Sequence, residues 1–97
     1  MFKIRLTPEA EQDLRWFRKH ERNEILDAIE AQLGYEPAVK TRARKQLRPN
    51  QTTEWELRVD KFRVFYDVNE QEQVVLVEAV GLKIGNRLFF RGEEREL

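Results

Sequence analysis

Residues 54–68 read EWELRVDKFRVFYDV, and their period decides the fold. Trp55, Leu57 and Val59 alternate with Glu54, Glu56 and Arg58. Phe62, Val64, Tyr66 and Val68 alternate with Arg63, Phe65 and Asp67. A period of two marks strands with one buried face. With Asp60-Lys61 as a two-residue turn, Trp55 faces Tyr66, Glu56 faces Phe65, Leu57 faces Val64, Arg58 faces Arg63 and Val59 faces Phe62. One face is then Trp55, Leu57, Val59, Phe62, Val64 and Tyr66, apolar apart from one hydroxyl. A slip of one residue mixes the two faces. The register also makes Arg58 and Arg63 direct neighbours, which costs up to about 1 kcal/mol if nothing relieves it. Glu56, on the same face, is one candidate for relief. A phosphate is the other, because guanidinium groups fork onto phosphate oxygens.

Upstream, Phe2 to Leu6 also alternates and predicts a strand. Thr7-Pro8-Glu9 is a helix start: a capping hydroxyl, a proline at the first helical position, and a carboxylate at the positive end of the dipole. Ala10, Leu14 and Phe17 form one helical stripe, with Trp16 on its flank. Ile25, Leu26, Ile29 and Leu33 form a second, and Gly34 stops it. The polar run at residues 19–23, which contains the only histidine, His20, is read as the break between two helices, and His20 as a surface residue. Residues 35–53 show no period and read as a loop, with at most a helical turn, held down by Leu47. Downstream, residues 69–72 make a turn. Val74 to Val77 is the continuous apolar run of a central strand, continuing to about Lys83. On simple alternation Val75, Val77, Ala79, Gly81 and Lys83 share one face, and the small Ala79 and Gly81 leave room beside Lys83. The order is β-α-α-β-β-β: an α+β fold with a small, antiparallel-rich sheet backed by an N-terminal helical hairpin.

The chain has 97 residues, enough for one modest core, and residues 1–97 are read as a single domain. Hydrophobic residues make up 40% and charged residues 37%, which fits a globular domain with a polar surface. There is no cysteine, which excludes disulfides and thiolate zinc sites. No metal site, phosphate loop, nucleophile motif or cofactor site is read. No apolar run approaches a membrane span, and residues 1–12 lack the apolar core of a signal peptide, so a cytoplasmic protein without a membrane partner is expected. Eighteen basic residues balance eighteen acidic ones, but unevenly: residues 1–37 carry a net −2, residues 38–63 carry +5, and residues 64–97 carry −3. A basic middle can be a solvated surface or a polyanion-binding one.

WELRVDKFRVFYDV, followed by VVLVEAVGLKIGN, resembles the RelE/ParE superfamily of bacterial type II toxins. The resemblance extends to the first strand with TPEAEQDL, the helical hairpin ending near Gly34, and the basic segment with Lys45 and Leu47. It implies a small sheet backed by two helices, an antitoxin that wraps the toxin, and repression of their operon by the complex, so that DNA is met only through that complex. Members of the RelE branch cleave mRNA in the ribosomal A site. Members of the ParE branch inhibit DNA gyrase and have no ribonuclease site. The RelE-like activity is preferred here: a metal-independent mRNA endoribonuclease with the ribosome and mRNA as partners. The alternatives are a gyrase inhibitor and an inactive antitoxin-binding co-repressor.

For RNA cleavage the resemblance implies a catalytic set of Arg63, Arg58, Lys83 and Glu56. Arg63 matches the strand arginine, Lys83 the basic residue ending the last strand, and Arg58 a basic residue on the preceding strand. Glu56 stands where another basic residue is usual and becomes the proton acceptor. Lys45, Arg48, Arg87, Phe89 and Arg91 are the expected RNA contacts, Phe89 as a stacking ring that cannot transfer a proton. The expected antitoxin segment is acidic or amphipathic and lies across residues 40–63 and the helical hairpin. The run Leu88-Phe89-Phe90 is expected to be partly covered by that partner.

Overall fold

The computed structural model describes residues 1–50 and 52–96. Among them the chain runs β1 (Lys3–Leu6), α1 (Pro8–Trp16), α2 (Lys19–Leu33), β2 (Arg44–Gln46), β3 (Trp55–Val59), β4 (Phe62–Asn69), β5 (Val74–Ile84), β6 (Arg87–Phe90) and β7 (Glu93–Arg95). The α+β order expected from the sequence is present. Three short strands, β2, β6 and β7, add to it. Among the described residues no helix is long and apolar enough to cross a membrane.

The strands lie in the order β2-β3-β4-β5-β6-β7, and β1 also pairs with β5. Strand β5 gives one edge to β4. Its other edge is shared: β1 takes the first half in parallel, from Lys3↔Val74 to Leu6↔Val77, and β6 takes the second half antiparallel, from Leu82↔Phe89 to Ile84↔Arg87. The β3–β4 hairpin has the predicted register, including Trp55↔Tyr66 and Arg58↔Arg63. Asp60 takes φ 53° at the turn, a left-handed conformation that aspartate tolerates better than most residues.

Each helix is in place for a local reason. The Thr7 hydroxyl accepts the Ala10 N–H at 3.1 Å and donates to the Glu78 carbonyl at 3.2 Å, so one side chain both caps α1 and ties it to β5. Helix α1 breaks at Phe17-Arg18, and α2 restarts at Lys19 with the Glu21 carboxylate accepting the Arg18 N–H. The polar run 19–23 is therefore the first turn and a half of α2 rather than the break. The chain bends because Phe17 leaves the helix to pack edge-on against Phe62, ring centroids 5.2 Å apart. Ile25, Ile29 and Leu33 are buried against the sheet, whereas Leu26 is partly exposed. The main core is these residues with Ala10, Leu14, Phe17, the predicted face of β3 and β4, and Val75, Val77 and Val80. His20 is exposed, as read.

The face of β5 differs from simple alternation. The β4–β5 register slips between Phe65 and Tyr66: Tyr66 pairs with Val77 but Phe65 with Ala79, leaving Glu78 as an extra residue. Such a bulge switches which side chains face which side. Val75 and Val77, then Val80 and Leu82, face the helices, while Ala79, Gly81 and Lys83 face away. The room expected beside Lys83 is also filled. A Cβ at Gly81 would lie 2.9 Å from the Phe90 ring, so glycine is required because Phe90 lies over it. Phe90 packs on Phe65, centroids 5.8 Å apart, and both are essentially inaccessible. The apolar run 88–90 is thus a strand of this chain's own sheet, and its ring Phe90 needs no partner to cover it. The sheet has a core on its helix side and a smaller apolar cluster on the other, the outer face.

Candidate functional site

Cross-strand pairing assembles the outer face row by row. Lys45 on β2 lies opposite Glu56 on β3, which lies opposite Phe65 on β4. In the next row Arg58 lies opposite Arg63, which lies opposite Gly81. Lys83 follows Gly81 on the same face of β5. The four residues assigned to catalysis from the sequence, Glu56, Arg58, Arg63 and Lys83, thus share one surface with Lys45.

The Arg58–Arg63 repulsion is relieved from within. The Arg63 Nε lies 3.6 Å from Glu56 Oε1, with side-chain exposures of 13% and 10%. One Arg63 amino group donates to the turn carbonyls of Asp60 at 2.7 Å and Phe62 at 2.8 Å. The Arg63 Nε is buried and lacks a hydrogen-bond partner. Arg63 therefore braces the β3–β4 turn while keeping one donor unspent beside Glu56. Arg58 is exposed and Lys83 is half-buried, and neither joins an ion pair among the described residues.

The sequence-predicted RNA contacts are not brought together. Lys45 joins the face just described, and Arg48 borders an adjoining hollow with Lys45. Phe89 pairs with Leu82 and Arg87 with Ile84, so both look to the opposite side from Lys83. Arg87 is bound to Glu94 at 3.1 Å. Arg91 reaches α1, at 3.0 Å from Glu9 and 3.3 Å from Asp13, with a further bond to Gln12. Asp13 also accepts the Val80 N–H at 2.9 Å, beside the bulge. Burial pushes the Asp13 carboxyl above its ordinary value, against the opposing pull of the Val80 N–H and the charges of Arg91 and Arg95.

Two features escaped the sequence reading. One is a cleft of about 320 Å³ where the loop before β2 meets β3, lined by Lys40, Arg42, Arg44, Lys45 and Arg58 with Thr41 and Gln46. The density of cations in residues 40–48 was the only signal of it. The other is the carboxyl pair Asp67 and Glu78 at the bulge. A hydrogen bond that protonated Glu78 donates to the Asp67 carboxylate, with burial and the Asp67 charge, pushes the Glu78 carboxyl up to about 7. Tyr66 is core, its hydroxyl donating to the Pro37 carbonyl at 2.7 Å, and burial raises its pKa. Among the described residues no group of His, Cys, Asp or Glu could hold a metal ion.

The sheet, the helical pair and this outer face can be compared with known proteins. The family described as the ParE toxin of the type II toxin–antitoxin system parDE matches residues 4–82. The chain belongs to the ParE toxin family. No curated protein matches it. Among solved structures, the toxin is similar to a chain of the toxin–antitoxin complex RelBE2 from Mycobacterium tuberculosis, with a TM-score of 0.73 and 21% identity over 84% of this chain and 98% of that one. It is also similar to a chain of the archaeal RelE–RelB complex from Pyrococcus horikoshii OT3, with a TM-score of 0.66 and 18% identity over 81% and 91%. A third likeness is the YoeB dimer from Staphylococcus aureus, with a TM-score of 0.53 and 19% identity over 79% and 91%. At these identities the structures establish a shared fold.

Proposed function

We propose that this toxin blocks translation by ribosome-dependent cleavage of mRNA, and that an antitoxin covering its basic middle neutralises it. The observation that carries the reading is a single carboxylate, Glu56, set among Lys45, Arg58, Arg63 and Lys83 on one face. A phosphate entering between Arg58 and Arg63 competes with Glu56 for the Arg63 guanidinium. Glu56 is then released to take the proton of the 2′-hydroxyl as that oxygen attacks phosphorus. The bond from phosphorus to the 5′-oxygen breaks, leaving a cyclic phosphate on one fragment. The leaving oxygen takes its proton from solvent. Arg58 and Lys83 stabilise the charge that builds on the phosphoryl oxygens.

Arg63→Ala should fold, by circular dichroism, and lose roughly 10²–10³-fold in cleavage on programmed ribosomes. Arg63→Lys should recover only part, because an ammonium cannot make the forked contact. A folded Arg63→Ala with undiminished cleavage removes Arg63 from the mechanism.

A second reading has its own support. The Arg63 amino group is already spent on two turn carbonyls, and its side chain is only 13% exposed. That favours a toxin that binds its target without cleaving RNA, as the ParE branch does with DNA gyrase. Wild type that inhibits gyrase supercoiling and leaves mRNA intact on ribosomes selects this reading.

A further inference from the structure

Most arginines around β3–β7 have a carboxylate: Arg63 has Glu56, Arg87 has Glu94, and Arg91 has Glu9 and Asp13. The cleft beside β2 is different. Lys40, Arg42, Lys45 and Arg58 line it, no carboxylate does, and none of the four joins an ion pair among the described residues. Four like charges held around one hollow repel one another, and among the described residues no carboxylate lines the hollow or makes an ion pair with any of them, the nearest, Glu56 opposite Lys45, being turned to Arg63.

The hollow is built rather than incidental. Arg44, the fifth cation, turns inward: its Nε donates to the Val39 carbonyl at 2.9 Å and an amino group to the Gln32 carbonyl at 2.7 Å. The Thr41 hydroxyl accepts the Ala43 and Arg44 N–H groups at 3.2 and 3.0 Å and closes the turn. The Arg58 N–H donates to the Ala43 carbonyl at 2.8 Å, which joins the turn to the edge of β3. These bonds fix the backbone from which Lys40, Arg42 and Lys45 project, while their own side chains stay exposed.

We infer that this cleft seats the phosphodiester backbone of single-stranded RNA, upstream of the Arg58–Arg63 pair. Arg58 belongs to both the cleft and the pair, so a strand lying in the cleft leads directly onto the face that holds Glu56. An acidic peptide fits less well. Peptide recognition in a groove uses apolar anchors, and every residue lining this cleft is polar or charged. A backbone of phosphates needs only cations and donors. The inference deepens the RNA reading of the outer face and rests on it for the direction of the strand, but its binding test does not depend on cleavage.

The test is the affinity of the free toxin for a short single-stranded oligouridylate, measured by fluorescence anisotropy over a series of salt concentrations. The combined variant Lys40→Ala with Arg42→Ala should bind about tenfold more weakly at low salt. Its salt slope should fall by about 0.7 for each cation removed. Arg15→Ala, on the far surface of α1, should match wild type, and circular dichroism should show all three proteins folded. The inference is overturned if wild type and the double variant bind oligouridylate equally, if wild type does not bind it, or if wild type prefers poly-glutamate. If the double variant loses RNA binding while wild type fails to cleave mRNA on ribosomes, the cleft stands and the nuclease reading alone falls.

Discussion

The two edges of the sheet treat positive charge in opposite ways. At the β6–β7 end every arginine is committed. Arg87 is bound to Glu94, Arg91 to Glu9 and Asp13, and Arg95 lies over the Phe90 ring at 5.2 Å. At the β2–β3 end Lys40, Arg42, Lys45 and Arg58 have no such partners among the described residues. A cation with a partner reports on how the chain is held together, and one without a partner reports on what it meets. The sequence does not distinguish the two kinds, so Arg87 and Arg91, which follow Lys83 closely in the chain, were expected to contact RNA with the rest.

The comparison breaks most readily at Phe90. If the β6–β7 hairpin is structural, Phe90→Ala removes the ring that closes the outer cluster over Gly81 and Phe65 and should cost roughly 3–5 kcal/mol in urea unfolding. A loss below about 1 kcal/mol would make the hairpin a surface attachment and undo the contrast. Next is the latch from α1. Asp13→Ala leaves the Val80 N–H without its acceptor and takes from Arg91 one of its two carboxylates, and should cost about 2 kcal/mol by the same measurement. An unchanged midpoint would show that solvent replaces the carboxylate at no cost.

Glu78 sharpens the comparison, because it makes the bulge that turns Lys83 toward the unpaired cations. Its carboxyl titrates near 7 in the folded chain against an ordinary value of 4.5. The folded state therefore binds the extra proton, and the stability that this contributes is fully present below 4.5 and lost as pH rises through about 7. Wild type should lose melting temperature from pH 5 to pH 8, and Glu78→Gln should lose less over the same window. Parallel curves would mean that the Asp67–Glu78 contact does not hold the proton. The smallest effect belongs to the unpaired end. Lys40→Ala with Arg42→Ala should leave the unfolding free energy within about 0.5 kcal/mol of wild type, because no partner loses a bond. A clear destabilisation would show a structural role there after all.

Much of this was legible in the chain itself. The period-two pattern of residues 54–68 was enough for the β3–β4 register, because only one register collects all the large apolar side chains on one face. The helix start at Thr7-Pro8 and the stop at Gly34 followed from local chemistry. The slip at Glu78 was not legible, since a bulge adds one residue without any composition of its own. It was a tertiary bond, from the Val80 N–H to Asp13, that took up the displaced backbone. Missing it put Val75 and Val77 on the face of Lys83. Strand β2 was missed because three polar residues carry no period, and β6 because its apolar run looked like a partner surface. Within the candidate site the sequence placed Glu56, Arg58 and Arg63 on one face, and the family resemblance added Lys83. It did not reveal that Arg63 would turn back to its own turn, because that depends on where two backbone carbonyls point.

The parallel pairing of β1 with β5 sets an order of events. Strand β1, Lys3–Leu6, pairs with Val74–Val77, so the partner of Lys3 lies 71 positions later in the chain. Until that segment emerges, β1 has no edge to join and α1 has no sheet to rest on, and closing so long a loop is slow compared with forming the β3–β4 hairpin. A nascent chain can therefore assemble Arg58 and Arg63 across their turn well before it owns a complete sheet. The complete sheet, with β1 in place and α1 resting on it, has to wait until β5 is available.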